Sequence, residues 1–260
     1  MTEFSIVTVV RNDRPGLEAT AESLASQTCT DFQWIVIDGA STDGTQDALD
    51  GLAHRPDISV SEPDNGIYHA MNKGKDLATG EWVQFLNAGD TLCTPETLSR
   101  VREWTTTTQL DWGFGAVRNI DPAGNATGLQ CPSPFTMLGL AHGHLTVPHQ
   151  ATFMRRELMT RIGDFLVNDG TAADQEYILR AARTGAPFEM VWPIVDFRTG
   201  GAGMGHSVGH FTRSMRRYRK SAGPGSATSA ARDAAIDGYV IAKEWLHHVE
   251  ARFLERRSGS

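Results

Sequence analysis

Ile35-Val36-Ile37-Asp38-Gly39-Ala40-Ser41-Thr42-Asp43-Gly44-Thr45 changes character midway: β-branched apolar residues stop at an acid, and glycines and hydroxyls follow. A short apolar run bounded by turn residues reads as a buried strand. In an open α/β sheet, ligands bind outside the carboxyl ends of the strands, so a carboxylate placed there points to a site. The same change recurs on either side of this stretch. Phe4 to Val10 runs into Arg11-Asn12-Asp13-Arg14-Pro15-Gly16, and Trp82 to Leu86 runs into Asn87-Ala88-Gly89-Asp90.

Working outward, strand-like and helix-like segments alternate. Leu17, Ala21, Leu24 and Ala25 recur at helical spacing, Phe32 to Ile37 is strand-like, and Ser41 or Thr42 is expected to cap a short helix through Leu52. Ile58 to Ser61 predicts a strand, and Ile67, Ala70, Met71, Gly74 and Leu77 fall on one face of a helix. A further strand, Trp82 to Leu86, and a helix from near Pro95 complete this half. The alternation predicts an α/β fold with a mostly parallel central sheet flanked by helices. Between Asp111 and Gln130 the pattern gives way to short strands split by Asp121-Pro122-Ala123-Gly124-Asn125. Residues 131–150 lack periodicity and read as a long functional loop. Ala173 to Thr184 predicts a helix, and Phe188 to Phe197 a strand interrupted by Pro193. Gly200 to Gly205 then leads to a helical tail with an apolar stripe at Ala242, Trp245, Leu246, Val249 and Phe253.

The chain has 260 residues, 40% of them hydrophobic, which is enough for one sizeable α/β core. A net charge of −7 argues against a nucleic-acid binder, although Arg213, Arg216, Arg217, Arg219 and Lys220 form a basic cluster. That cluster fits a helix packed back on the domain, a homodimer contact, or peripheral contact with an anionic membrane. Cys29, Cys93 and Cys131 are far apart and offer neither a disulfide framework nor a zinc spacing. No apolar run approaches the roughly 20 residues that span a bilayer. A cytoplasmic location is expected, at the inner face of the plasma membrane if the basic cluster binds lipid.

Five ordered motifs carry a resemblance: Ser5 to Asn12, Ser26-Gln27-Thr28, Ile37 to Thr45, Ser61 to Gly74 and Ala78 to Asp90. Together they resemble the inverting glycosyltransferases of family 2, whose fold is GT-A. The match is dense over about the first hundred residues and looser at His149-Gln150, Asp174-Gln175-Glu176 and Phe197 to Gly201. The resemblance implies a single Rossmann-like GT-A domain over 1–205, with a nucleotide-sugar-binding half (1–105) and an acceptor-binding half (106–205). Residues 206–260 are expected to form a helical C-terminal extension. The implied reaction moves a sugar from a nucleoside diphosphate, UDP by family resemblance, to a hydroxyl of a saccharide or lipid-linked acceptor in glycan biosynthesis.

Residue by residue, the resemblance places Asp38 at the nucleoside, at a strand end outside the core. It places Asp64 near the base and Lys73 near the diphosphate, with Val10, Asn12, Asn72 and Asn87 as further donor-binding residues. Asp90 can hold Mg²⁺ or Mn²⁺ against the departing diphosphate. Where the family usually has an Asp-x-Asp or Asp-Asp pattern, this chain has Asn87 and Gly89, leaving Asp90 as the acid. Asp174 is the candidate general base, because an inverting transfer needs a carboxylate on the acceptor side to take the hydroxyl proton. Glu176 lies two residues on and faces away along a helix. His149 and Gln150 are assigned to acceptor or donor contact. A nucleotide-sugar-binding protein without transferase activity is the alternative that the missing acids keep open. A nucleotidyltransferase would carry a glycine-rich basic phosphate loop early in the chain, and residues 11–16 do not supply one.

Overall fold

All seven side chains of Phe4–Val10 (β1) are buried, as in a strand covered on both faces by helices. The computed structural model describes residues 2–167 and 172–198, with Ser214, Met215, Arg217 and Tyr218. β1 pairs in parallel with Phe32–Asp38 (β2) on one side and with Trp82–Phe85 (β4) on the other, and β2 pairs in parallel with Ile58–Ser61 (β3). The register sets Val10 beside Asp38 and Asp38 beside Ser61, so these strand ends finish level.

Beyond β4 the sheet becomes mixed, where the sequence pattern changes. Thr152–Arg155 (β8) runs antiparallel to β4, and Trp112–Ile120 (β6) runs antiparallel to β8 and to Ala126–Gln130 (β7). Phe188–Arg198 (β9) lies parallel to β6 and pairs antiparallel with Thr91–Leu92 (β5). The sheet order is β3-β2-β1-β4-β8-β6-β9-β5, with β7 on β6. Pro193 does not end β9. The pairing with β6 slips in register around it, consistent with a residue that has no N–H to give.

Helices cover both faces. On one side Arg14–Ala25 (α1) and Thr97–Thr107 (α4) bury Leu17, Leu24, Leu98 and Val101 against Trp34 and Phe153. Asp13 caps α1 by accepting from the Gly16 N–H at 3.1 Å, and Pro15 occupies the first turn, where a missing donor is harmless. On the other side Ile67–Leu77 (α3), Arg156–Ile162 (α6) and Ala173–Thr184 (α7) pack Met71, Leu158, Tyr177 and Ile178 onto Val7, Val83 and Phe85. Gly74 lets α3 approach closely: a Cβ there would collide with Val7. A bulkier residue would lift the helix off β1.

Three expectations change. The short helix Thr45–Ala48 (α2) begins after Gly44, which has φ +84°, and neither Ser41 nor Thr42 caps it. The Ser41 hydroxyl donates to Asp38 instead, and Asp43 accepts from the Thr45 N–H at 3.1 Å. Residues 131–150 are not wholly irregular, since they contain Met137–His142 (α5) and the 3-10 turn His149–Ala151. The strand expected to reach Leu86 ends at Phe85. In the tail, Met215 and Tyr218 are buried within the α7-side core and Arg217 is exposed. The glycine run 200–205, His206, His210, the other basic residues of the cluster and the apolar stripe lie outside the described residues.

Candidate active site

The level ends of β1, β2 and β3 form the first part of the site. Asp38 is 1% exposed, and its carboxylate accepts from the Ser41 N–H at 3.1 Å and from the Ser41 and Ser61 hydroxyls. The expectation that Asp38 stands outside the core is therefore corrected, because a buried carboxylate with these partners also holds its loop together. Asn12 sits at φ +52°, a left-handed conformation that Asn tolerates better than most residues. Its N–H donates to Ser41 Oγ at 2.7 Å and its Oδ1 accepts from the Thr42 N–H at 2.8 Å. The Val10 carbonyl accepts from the Gly39 N–H at 2.9 Å. Asp64 accepts from the Gly66 N–H at 2.9 Å and lies against Gly39, where a Cβ would collide with its carboxylate. Val10, Asn12, Asp38 and Asp64 are thus brought together.

Asn72 and Lys73 are placed differently. The Asn72 side chain donates to the Phe165 carbonyl at 3.0 Å and accepts from the Phe165 N–H at 2.8 Å, which ties α3 to the segment after α6. Lys73 pairs with Glu62 at 2.8 Å, near the end of β3.

The turn after β4 forms the second part. The Asp90 N–H donates to the Asn87 carbonyl at 3.0 Å, the Gly89 N–H donates to the Gly16 carbonyl at 3.0 Å, and Thr20 Oγ1 donates to the Asp90 carbonyl at 2.9 Å. Gly89 has φ +91°, a backbone conformation that strains any other residue, and a Cβ on it would lie 2.6 Å from the tip of the Arg198 side chain, which would have to shift. Arg198 pairs with Asp13 at the start of α1. The Asp90 carboxyl is 4% exposed, and burial pushes its pKa up to about 7 against the opposing pull of His149 and of the Arg198 N–H and charge. Asn87 Oδ1 is buried with no hydrogen-bond partner among the described residues. An under-compensated carboxyl and an unpartnered amide oxygen on one turn are the donor chemistry of a hard divalent cation. The described residues contain no group of three His, Cys, Asp or Glu suited to a metal, so phosphate oxygens would have to complete its shell.

The third part joins the two halves. His149 opens the 3-10 turn before β8, with Nε2 3.1 Å from Asn87 Nδ2 and Nδ1 3.2 Å from Asp174 Oδ2. Asp174, in the first turn of α7, also accepts from the Gln175 N–H at 2.7 Å. Tyr68 from α3 stands beside it, and burial together with the Asp174 charge pushes the phenol pKa upward. Glu176 does face away: it is buried and gripped by Arg180 at 2.8 Å. Gln150 is buried, and its carbonyl accepts from Gln84 Nε2 at 2.7 Å. Asn87, Asp90, His149 and Asp174 therefore converge, whereas His142 and His144 face each other around α5. The sequence reading missed Arg198, Asp13 and Tyr68. Only the position of Arg198 within the loosely matched stretch 197–201 could have drawn attention to it.

The profile described as "Glycosyl transferase family 2" matches residues 5–163. A glycosyltransferase of Mycobacterium tuberculosis (strain CDC 1551) is 34% identical over 204 residues, 76% of each chain. A "PGL/p-HBAD biosynthesis glycosyltransferase" of Mycobacterium bovis (strain BCG / Pasteur 1173P2) is 34% identical over 183 residues, 68% of each. Among solved structures, residues 1–349 of Staphylococcus aureus TarS in complex with UDP-GlcNAc superpose with a TM-score of 0.69 at 18% identity, covering 90% of this chain and 70% of that one. The Pyrobaculum calidifontis mannosyltransferase PcManGT with GDP-Man and Mn²⁺ gives 0.55 at 18% identity, covering 92% and 79%. Level strand ends, a glycine-acid turn after β4 and an acid opening α7 are thus found in a chain that belongs to glycosyl transferase family 2, a glycosyltransferase with the GT-A fold.

Proposed function

We propose that this glycosyltransferase moves a sugar, with inversion, from a UDP-linked donor to a hydroxyl of a saccharide or lipid-linked acceptor in glycan biosynthesis. The observation that carries the reading is the bridge from Asn87 through His149 to Asp174, which sets a carboxylate across one imidazole from the turn that holds Asp90. Residues 1–105 supply the donor side, residues 106–205 the acceptor side, and 206–260 an extension. The acceptor oxygen attacks the anomeric carbon while the bond to the diphosphate breaks, the diphosphate leaves with the electron pair, and Asp174 takes the acceptor proton. Asp90 and Asn87 would hold Mg²⁺ or Mn²⁺ jointly with the diphosphate; when bound, that ion offsets the charge of the leaving group. UDP is favoured over other nucleotides by the family resemblance and by the UDP-GlcNAc complex of TarS, and a metal by the Mn²⁺ complex of PcManGT. No described helix is long and apolar enough to cross a membrane. We place the reaction at the cytoplasmic face, where a lipid-linked acceptor can be reached from the membrane surface.

The test is a thermal-shift panel of UDP-, GDP- and dTDP-sugars with and without Mn²⁺, since a ligand that binds only the folded state raises apparent stability. UDP-sugars with Mn²⁺ are expected to give the largest shift, and a GDP-sugar leading the panel would overturn the nucleotide assignment. Asp38→Ala is expected to remove most of the UDP shift. It should also lower the melting point of the free protein, corresponding to about 1–3 kcal/mol for the unpartnered hydroxyls it leaves. Calorimetry showing wild-type UDP affinity in that variant would reduce Asp38 to a loop brace.

A further inference from the structure

We propose that His149 is the positioning residue of the transfer: it fixes the Asp174 carboxylate relative to the Asn87–Asp90 turn and acts only through Asp174. The inference rests on Asp174 as the base.

The segment carrying His149 is clamped from two sides. Gln175 donates to the Val147 carbonyl at 2.8 Å and accepts from the Val147 N–H at 3.0 Å, which fastens the segment to α7. Gln84 Nε2 donates to the Gln150 carbonyl at 2.7 Å, fastening it to β4, and Thr152 Oγ1 closes the turn on the Pro148 carbonyl at 2.8 Å. The backbone of His149 is therefore held to the base helix and to the donor strand together, and the ring inherits that position.

The two ring nitrogens then have unequal tasks. An amide nitrogen only donates, so Asn87 Nδ2 at 3.1 Å makes Nε2 the acceptor. The neutral ring carries its proton on Nδ1 and donates it to Asp174 Oδ2 at 3.2 Å. With Nε2 engaged by Asn87, the imidazole is not the proton acceptor for an incoming hydroxyl, and with its N–H aimed at Asp174 it is not offered to the donor. Its remaining capacity is to fix the rotation of a carboxylate that Gln175 holds through its N–H at 2.7 Å and its Nε2 at 3.3 Å and that Tyr68 also contacts, by setting Oδ2 from the side of the Asn87–Asp90 turn. Displacing a reacting group by about 1 Å is enough to lose roughly 10²-fold in rate.

The experiment measures kcat, donor Kd by calorimetry and melting temperature for His149→Ala, His149→Asn and His149→Gln, in the wild-type and Asp174→Asn backgrounds. His149→Ala is expected to lower kcat by roughly 10- to 10²-fold with donor Kd unchanged. His149→Asn should recover much of that loss, because its amide nitrogen reaches about where Nδ1 stood, whereas the longer Gln reaches toward Asn87 and should not. In the Asp174→Asn background, His149→Ala should cause no further loss, since two residues acting as one unit do not add. Equal losses from Ala and Asn, additive losses in the double variant, or a weakened donor Kd that accounts for the loss would each overturn the positioning role. A silent His149→Ala beside a strongly impaired Asp174→Asn removes the positioning role alone. A near-wild-type Asp174→Asn removes the base assignment and the positioning role with it.

Discussion

Asp174→Asn should lower glycosyl transfer by roughly 10² to 10⁴ while leaving donor affinity nearly unchanged. The substitution keeps the volume at the start of α7, and its single amide oxygen can keep the bond from the Gln175 N–H while its NH2 faces His149 Nδ1, where Asp174 has its second oxygen, so the helix start should persist. In the proposed mechanism it removes the one property required there, a negative oxygen able to bind the acceptor's proton. Glu176→Gln is the control. Glu176 is buried and paired with Arg180, whose guanidinium also holds the Ile162 and Asp164 carbonyls. Weakening that pair should appear as a lower melting temperature, on the order of 1–3 kcal/mol, with turnover near wild type well below the transition. The two carboxylates thus separate chemistry from architecture on one helix. If Glu176→Gln loses transfer and Asp174→Asn does not, the base is misassigned although the family stands.

The first hundred residues were legible in the sequence because their elements announce themselves locally. β1, β2 and β4 are continuous apolar runs buried on both faces, and each is followed by polar turn residues. The start of α7 was legible for a similar reason, since Asp174 precedes a helical pattern. What the sequence hid was competition between partners. Ser41 was expected to cap a helix, but the buried Asp38 three residues earlier takes its hydroxyl, leaving Asp43 and Gly44 to start α2. Asn72 looked like a donor ligand because the residues around it match the family, yet its amide is complementary to the Phe165 backbone, which no local pattern reveals. Arg198 was invisible for the same reason: its partner Asp13 is 185 residues away, and the glycine that makes room for it lies after a different strand. The replaced acid at position 89 was read as a weakened metal motif. The structure adds a backbone reason for glycine there, since the turn holds position 89 at φ +91°.

Asp90→Asn should abolish the response of turnover to Mn²⁺ and, in the absence of ligand, make the protein more stable above neutral pH. The sign follows from the direction of the shift. Burial holds the Asp90 pKa at about 7, above the ~3.9 of an unfolded aspartate, so the folded state binds this proton more tightly. Stability attributable to this group is therefore fully present below about pH 4, falls as the pH rises between the two values, and reaches its minimum above about pH 7. A shift of this size makes the penalty at pH 8 on the order of 4 kcal/mol, and asparagine, which has no charge to bury, should escape it. The variant's melting temperature should exceed the wild type's at pH 8, by less at pH 5, and converge with it only below about pH 4, where the wild-type carboxyl is neutral in both the folded and the unfolded chain. Mn²⁺ with UDP should raise the wild-type melting temperature at pH 8 by opposing the same buried charge and leave Asp90→Asn without the metal-dependent part of that rise. A variant that is no more stable at pH 8 but has lost the Mn²⁺ response would mean that the carboxyl is already charge-compensated in the free enzyme, through Arg198. Retention of full Mn²⁺ stimulation would move the metal away from Asp90. If Asp90→Asn gains stability at pH 8 and loses the Mn²⁺ response together, the buried Asp90 carboxyl is a charge that destabilises the free protein and that the metal and diphosphate offset.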